Sequence, residues 1–183
     1  MSPAPPLAPD ELVSAAGERD VLETFLDLYR DIVVRKVSGL STVDASRRLV
    51  PSRTTLAGLV RHLTGVEREW FHGVLGGRPA PGGDRASPAA QGTSGVAQDG
   101  SSDSWDVPGG ASVESLVADY RAACATSREI CAGFALDDTV PSPRLGRVSL
   151  RWLYVHLIEE TARHAGHADI LREQTDGATG FDG

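Results

Sequence analysis

The length and charge of this chain already argue against several classes of protein. Its 183 residues are enough for one domain that buries most of its surface, so it can fold without a disulfide or a metal. The 25 acidic residues against 18 basic ones give a net charge of −7, and Lys36 is the sole lysine. We therefore expect no nucleic-acid partner, because phosphate recognition requires clustered Lys and Arg.

The N-terminus and the cysteines indicate a cytoplasmic protein. Residues 1–18 are rich in Pro and Ala and have neither the basic nor the apolar region of a signal peptide, so we expect a mobile lead-in. No run of about 18 apolar residues occurs, which argues against a membrane partner. Cys124 and Cys131 lie in one predicted helix about 10 Å apart, beyond disulfide reach.

Apolar residues recur at helical spacing in four segments, with charged residues on the opposite side. These predicted helices span residues 19–38, 54–75, 112–134 and 149–173. A short helical turn is expected at 42–48, and we find no convincing strand. The sequence therefore predicts an all-α protein.

The connection between helices two and three is unusually long. Residues 76–111 consist mainly of Gly, Pro, Ser, Ala and Asp, which cannot bury enough apolar surface to offset the entropy of ordering. Trp105 is the one large apolar anchor in this stretch. We expect residues 104–108 to close over the functional site and residues 78–100 to be an inert insertion.

Two short links and one long link suit a four-helix bundle with a long crossover between helices two and three. We place this single domain at residues 19–175 and assign residues 176–183 to a tail without periodicity.

The last helix carries an unusual set of ionisable residues on its apolar face. His156, Glu160 and His164 follow one another at intervals of four, and His167 lies three residues further on. Burial of a bare carboxylate costs several kcal/mol unless something compensates its charge. A divalent cation would do so, because imidazole and carboxylate suit zinc, nickel, iron or manganese. The alternative is a hydrogen-bonded polar network in the core.

Helix two supplies two further candidates. His62 projects at the edge of its apolar face and Glu67 projects inside it, whereas His72 lies on the charged face, where we expect it to be solvated. Since bundles build metal sites from side chains on facing helices, the predicted ligands are His62, Glu160 and His164. Glu67 can hold the free nitrogen of a ligating His or pair with an Arg, and both options stay open.

Two motifs in helices two and four match a known superfamily jointly. The motif in helix two consists of His62, Leu63, Val66, Glu67, Trp70 and Phe71. The motif in the last helix consists of His156, Glu160, His164, Gly166 and His167. Over residues 19–175 the chain resembles the DinB/YfiT-like superfamily of metal-dependent four-helix bundles. That resemblance implies a divalent metal, often zinc, bound by one helix-two His and two helix-four residues spaced four apart.

Two residues set this chain apart within the superfamily. Glu160 stands where many members carry His, and the resulting His-Glu-His set is similar to the mycothiol-dependent branch. That branch includes maleylpyruvate isomerase and the mycothiol S-transferases of actinobacteria. His167 stands where members of the wider superfamily often have Gln. The resemblance implies mycothiol as the thiol and an electrophilic small molecule as its partner, in detoxification or biosynthesis.

Such a site supports a definite chemistry. Three protein ligands leave zinc an open position, at which a thiol loses its proton. We expect His156 and His167 to take that proton or to orient a ligand, and Glu67 to assist. Two alternatives use the same fold: hydrolysis by metal-activated water, and sequestration of a small molecule without turnover. The sequence leaves a homodimer open.

Overall fold

The computed structural model describes residues 7–78 and 105–180, most of them helical. The elements in chain order are α1 (Pro9–Leu12), α2 (Glu18–Val37), α3 (Thr42–Ala45), α4 (Leu56–Glu67), a π-helical segment (Arg68–Leu75), α5 (Val113–Cys131), β1 (Thr139–Ser142), β2 (Gly146–Ser149) and α6 (Leu150–Asp176). The predicted helical bundle is confirmed.

Polar side chains fix where the long helices start. At the residue before each first turn, a hydroxyl accepts a hydrogen bond from the backbone N–H three residues on, in Thr55 for α4, Ser112 for α5 and Ser149 for α6. The α6 helix ends at Gly177, whose φ of 80° lies in the left-handed region that glycine adopts without strain. It therefore extends slightly beyond the predicted end at residue 173.

Helices α2 and α6 run side by side in the same direction. Near their N-termini the Tyr154 hydroxyl donates to Glu23 Oε1 at 2.8 Å, and near their C-termini Lys36 Nζ lies 2.9 Å from Asp169 Oδ1. The two helices pack closely along their length. The first and last long helices are thus parallel neighbours.

Helix α4 with its π-helical extension also runs parallel to α5. Arg68 pairs with Asp119 at 2.5 Å, and further along the same pair of elements His72 Nε2 lies 3.2 Å from Ser127 Oγ. A parallel pair requires a connection that returns over the full helix length, about 30 Å for 20 residues. This geometry gives a physical reason for the long crossover between residues 76 and 112.

The hydrophobic core forms two clusters along the bundle. One includes Val33, Leu59, Leu63, Tyr120 and Leu171, and the other includes Leu26, Phe71, Cys131, Leu153 and Leu157. All of these side chains are almost fully buried. Since the clusters draw on α2, α4, α5 and α6, they hold in place the helices that carry the candidate ligands.

A small β-hairpin contradicts the prediction that the chain has no strand. Strands β1 and β2 are antiparallel, with Val140 opposite Val148 in the register. Each strand has only four residues, too few for an alternating pattern to stand out beside Pro141. Val148 is buried in the second cluster. Tertiary packing therefore stabilises a hairpin that the local sequence pattern does not predict.

The ends of the chain bear on two further predictions. Within the predicted lead-in, residues 9–12 form the short helix α1, in which no residue is buried. Residues 1–6, 79–104 and 181–183 lie outside the described residues, and with them most of the predicted insertion at 78–100. No helix in the described ranges combines the length and apolarity needed to cross a membrane.

Candidate metal centre

Three side chains from two helices converge at one point in the bundle. His62 comes from α4, and Glu160 and His164 come from α6, where a spacing of four places them on one face. One ligand atom from each lies within 4.8 Å of the others. Both imidazoles are 7% exposed, so the cluster is largely shielded from water. The structure brings together the three residues that the sequence pattern selects.

A single carboxylate oxygen lies at the focus of this cluster. Glu160 Oε1 is 3.2 Å from His62 Nε2 and 3.1 Å from His164 Nε2. Two imidazole nitrogens and one carboxylate are a donor set that zinc binds in tetrahedral sites with an open position. The observed convergence of the two Nε2 atoms on one oxygen therefore fits a divalent cation.

The electrostatics keep Glu160 ionised. Hydrogen bonding to His164 and then to His62 lowers the pKa of this carboxyl group far below its ordinary value, although burial opposes the shift. Its second oxygen faces Arg163, whose Nη1 lies 3.4 Å from Oε2. An anionic ligand is thus available without prior deprotonation at neutral pH.

Trp105 covers the His62 side of the cluster. Its ring stacks on the His62 imidazole with centroids 4.5 Å apart and planes 9° apart, and it meets His164 edge-on at 5.6 Å. The neighbouring Asp106 pairs with Arg53, which anchors this end of the crossover to the start of α4. The predicted docking of Trp105 over the site is confirmed, whereas Ser104 lies outside the described residues.

Gly58 makes this close approach of Trp105 possible. A Cβ placed on Gly58 would lie 2.9 Å from the carbonyl oxygen of Trp105 and 3.0 Å from Thr55 Oγ1. Real Cβ atoms do not approach other atoms so closely, so any larger side chain would displace the Trp105 backbone. A glycine one turn before His62 thus determines how tightly the aromatic cover sits.

His167 contacts the cluster from outside. Its Nδ1 lies 3.3 Å from Nδ1 of His164, on the opposite edge of that ring from Glu160. Burial, and then the charges of His164 and Arg163, lower the pKa of His167. Two facing nitrogens form a hydrogen bond only if one of them carries the hydrogen. The pair therefore couples the tautomer of His167 to that of His164.

His156 lies one turn before Glu160 but does not join the three converging residues. Its ring stacks on Trp152, with centroids 4.9 Å apart and planes 19° apart, and meets Trp70 edge-on at 4.8 Å. The side chain is half-buried, and burial lowers its pKa although the charge of Glu160 opposes the shift. His156 is therefore favoured in its neutral form, in an aromatic setting beside the cluster.

Glu67 is engaged elsewhere in the core. Both of its carboxylate oxygens accept hydrogen bonds from Arg30, at 2.8 and 2.7 Å, and Arg30 also donates to Asp27. Glu67 is 1% exposed, so this is a buried, bidentate ion pair. Of the two options left open by the sequence, the structure shows pairing with an arginine. Arg30 is detectable in the sequence, because it falls on the apolar stripe of α2 between Leu26 and Val33.

His72 is half-buried and contacts α5, so the expectation that it is simply solvated is wrong. Its Nε2 lies 3.1 Å from the carbonyl oxygen of Ala123 and 3.2 Å from Ser127 Oγ, both on α5. The cause is the π-helical segment, in which hydrogen bonds span five residues and each residue turns through a smaller angle. A helical wheel drawn at 100° per residue therefore becomes increasingly inaccurate after Glu67 and misplaces His72.

Comparison with known proteins identifies the family. A family model described as Mycothiol-S-transferase matches residues 21–177, from the first turn of α2 to the end of α6. No curated protein and no solved structure matches the chain significantly. The family match covers the two helices that carry His62, Glu160 and His164. The chain therefore belongs to the Mycothiol-S-transferase family.

Proposed function

We propose that the protein is a zinc-dependent transferase that joins mycothiol, through its sulfur, to an electrophilic small molecule. The observation that carries this proposal is the convergence of His62, Glu160 and His164 within 4.8 Å, in a chain of this family. What zinc supplies when bound there is stabilisation of thiolate over thiol. Our assignment of zinc rests on the donor set of two imidazoles and one carboxylate.

The charge of the donor set favours a thiolate partner. Two neutral imidazoles and one carboxylate leave a divalent cation with a net charge of +1, which one thiolate neutralises. Uncompensated charge is costly in a site as shielded as this one, so binding of thiolate is preferred. Trp105 contributes by covering His62 and excluding water from that side.

We assign His167 a positioning role. If His164 uses Nε2 as its ligand atom, its Nδ1 carries the hydrogen and donates it to Nδ1 of His167. This contact fixes both the tautomer and the ring orientation of His164. The lowered pKa of His167 supports the neutral, accepting form that this role requires.

We assign His156 the role of accepting the thiol proton. It lies one helical turn from Glu160, and its lowered pKa keeps the imidazole neutral and able to accept a proton. Glu67, bound on both oxygens by Arg30, supports the helix pair from the core. The cytoplasmic location stays a prediction from the sequence, which leaves a homodimer open.

The test of this function is proton release on thiol binding. Mycothiol added to the zinc-loaded protein should release about one proton per site, measured by calorimetry in buffers of different ionisation enthalpy. Glu160→Gln should weaken zinc binding and so reduce that release, whereas Glu159→Gln should not, because Glu159 is an exposed neighbour on the same helix paired with Arg163. His156→Gln should slow thiol consumption without loss of zinc.

Two results would decide against this function. If mycothiol neither binds the zinc-loaded protein nor releases a proton, thiol transfer is wrong, and hydrolysis or sequestration takes its place. If the Glu160→Gln protein behaves like wild type, the assigned ligands are wrong.

A further inference from the structure

An apolar cleft adjoins the candidate metal centre at His167. It has a volume of about 230 Å³ and lies between the connection that follows α3 and the C-terminal half of α6. Its lining residues are Val50, Ser52, Thr54, His167, Ile170 and Leu171. Because His167 lines the cleft and its Nδ1 also lies 3.3 Å from Nδ1 of His164, the cleft lies next to the candidate metal centre.

The lining of the cleft selects an uncharged occupant. None of its six lining residues is an Asp, Glu, Lys or Arg, so a charged group placed there would lose water without gaining a counter-charge. Leu171 is buried, whereas Ile170 is 57% exposed on a helix whose other outward positions are mostly polar. An apolar group that covered Ile170 would gain free energy from burying its surface.

A second cavity is the other candidate for a substrate site. It has a volume of about 480 Å³, lies between α2 and α5, and includes Arg19, Glu23, Asp27 and Arg128 among its lining residues. These charges already pair with one another, Arg19 with Glu23 and Arg128 with Asp27. No hydrogen bond, ion pair or ring contact links the lining of this cavity to His62, Glu160 or His164 in the described residues. The apolar cleft at His167 is therefore the better candidate for a substrate.

We propose that this cleft binds the apolar part of the electrophile, so that the preferred substrates are uncharged molecules with a hydrophobic group next to the reactive carbon. This inference rests on the proposed thiol transfer. The thiol is the less suitable occupant, because the cysteine of mycothiol is joined to hydroxyl-rich sugar units, whose hydroxyls would be left unpaired against Ile170 and Leu171.

The reaction that tests this specificity is a simple alkylation. The thiolate sulfur attacks the CH₂ carbon of an iodoacetamide, a C–S bond forms, and the C–I bond breaks with iodide leaving as the anion. The thiol proton passes to His156 and from there to the buffer. Iodoacetamide and N-benzyl iodoacetamide share this reactive group and differ only in the apolar benzyl group. The change in their relative kcat/KM between wild type and a cleft variant therefore reports on the cleft.

Three proteins give the kinetic comparison: wild type, Ile170→Asp and Val155→Asp. Val155 is a matched control, because it is 54% exposed on the same helix and does not line the cleft. We expect wild type to favour the benzyl compound about tenfold in kcat/KM. Ile170→Asp should remove that preference by raising KM for the benzyl compound alone, and Val155→Asp should keep it. Ile170→Ser provides a second, milder variant.

A binding measurement separates this inference from the proposed function. The unreactive N-benzylacetamide, titrated into each protein and followed by NMR, should bind wild type and Val155→Asp equally and Ile170→Asp about tenfold more weakly. Equal binding to all three proteins, or no binding to wild type, would contradict the proposal that the cleft binds the apolar group. If binding follows Ile170 but the zinc-loaded protein accelerates neither alkylation, the thiol-transfer function fails and the cleft stands.

Discussion

The backbone of Gly58 lies so close to Trp105 that a Cβ at position 58 would come within 2.9 Å of the Trp105 carbonyl oxygen. The ring of Trp105 in turn stacks on His62. A glycine in α4 and an aromatic residue after the long crossover are thus geometrically coupled across a candidate metal ligand.

Replacement of Gly58 by Ala should displace this cover. We expect a loss of about 1–2 kcal/mol in the free energy of unfolding and weaker zinc binding, because Trp105 must move away from His62. The control is Gly65→Ala in the same helix, where an added Cβ meets no atom within 4 Å. That variant should be neutral or more stable by up to about 1 kcal/mol, since Ala is the better helix former. Chemical denaturation and zinc competition measure both effects, and equal behaviour of the two variants would contradict the coupling.

Removal of a proposed ligand should remove the metal. Wild-type protein purified without chelator should carry stoichiometric zinc, and the His164→Ala protein should carry almost none. The Glu160→Gln protein should bind zinc more weakly than wild type. The control is His72→Ala, which should retain its zinc but lose about 1 kcal/mol of stability, because His72 contacts Ala123 and Ser127 on α5. Metal content by elemental analysis checks this, and full occupancy in His164→Ala would refute the ligand set.

The contact between His167 and His164 should set zinc affinity. His167→Ala removes the acceptor for Nδ1 of His164, and we expect about 10-fold to 100-fold weaker zinc binding. His167→Gln should recover part of the loss, because its side-chain oxygen can accept the same hydrogen. A purely steric role would be indicated if Gln and Ala at position 167 gave the same affinity in a competition assay.

Both cysteines should be inert in the folded protein. Burial raises the pKa of Cys124 to about 12 and that of Cys131 to about 11. At pH 8 the thiolate fraction is then at least about 100-fold below that of a free cysteine, and alkylation should be slowed accordingly. Mass spectrometry after iodoacetamide treatment should show label only when the protein is unfolded. Rapid labelling of the native protein would contradict the burial of these thiols.

The same two thiols give stability a pH dependence at the alkaline end. Their pKa values are higher in the folded chain than in the unfolded chain, so the folded state holds more protons above about pH 8.5. Stability is therefore fully present below that pH and falls as the pH rises. Denaturation curves for wild type and Cys131→Ser at pH 8 and pH 10 should show a smaller drop for the variant.

Some residues of the candidate site could be placed from the sequence, and others could not. The placement of Glu160 and His164 on one face follows from the period of the α-helix. The docking of Trp105 follows from its being the one large apolar residue in a polar stretch. Neither prediction needed tertiary information. His72 could not be placed, because the change to π-helical geometry after Glu67 leaves no trace in the apolar pattern. The partner of Glu67 depends on which helix faces it across the core.

The two helices that meet at the candidate metal centre are far apart along the chain, since His62 and Glu160 are separated by 98 residues. A cation bound to both would act as a cross-link that closes a very long loop in the unfolded chain, and it would bind the folded state far more tightly. Apparent stability would then rise with the logarithm of free zinc concentration. The lifetime of the protein in the cell would then depend on the zinc supply. A chelator would shorten that lifetime by removing the cation alone.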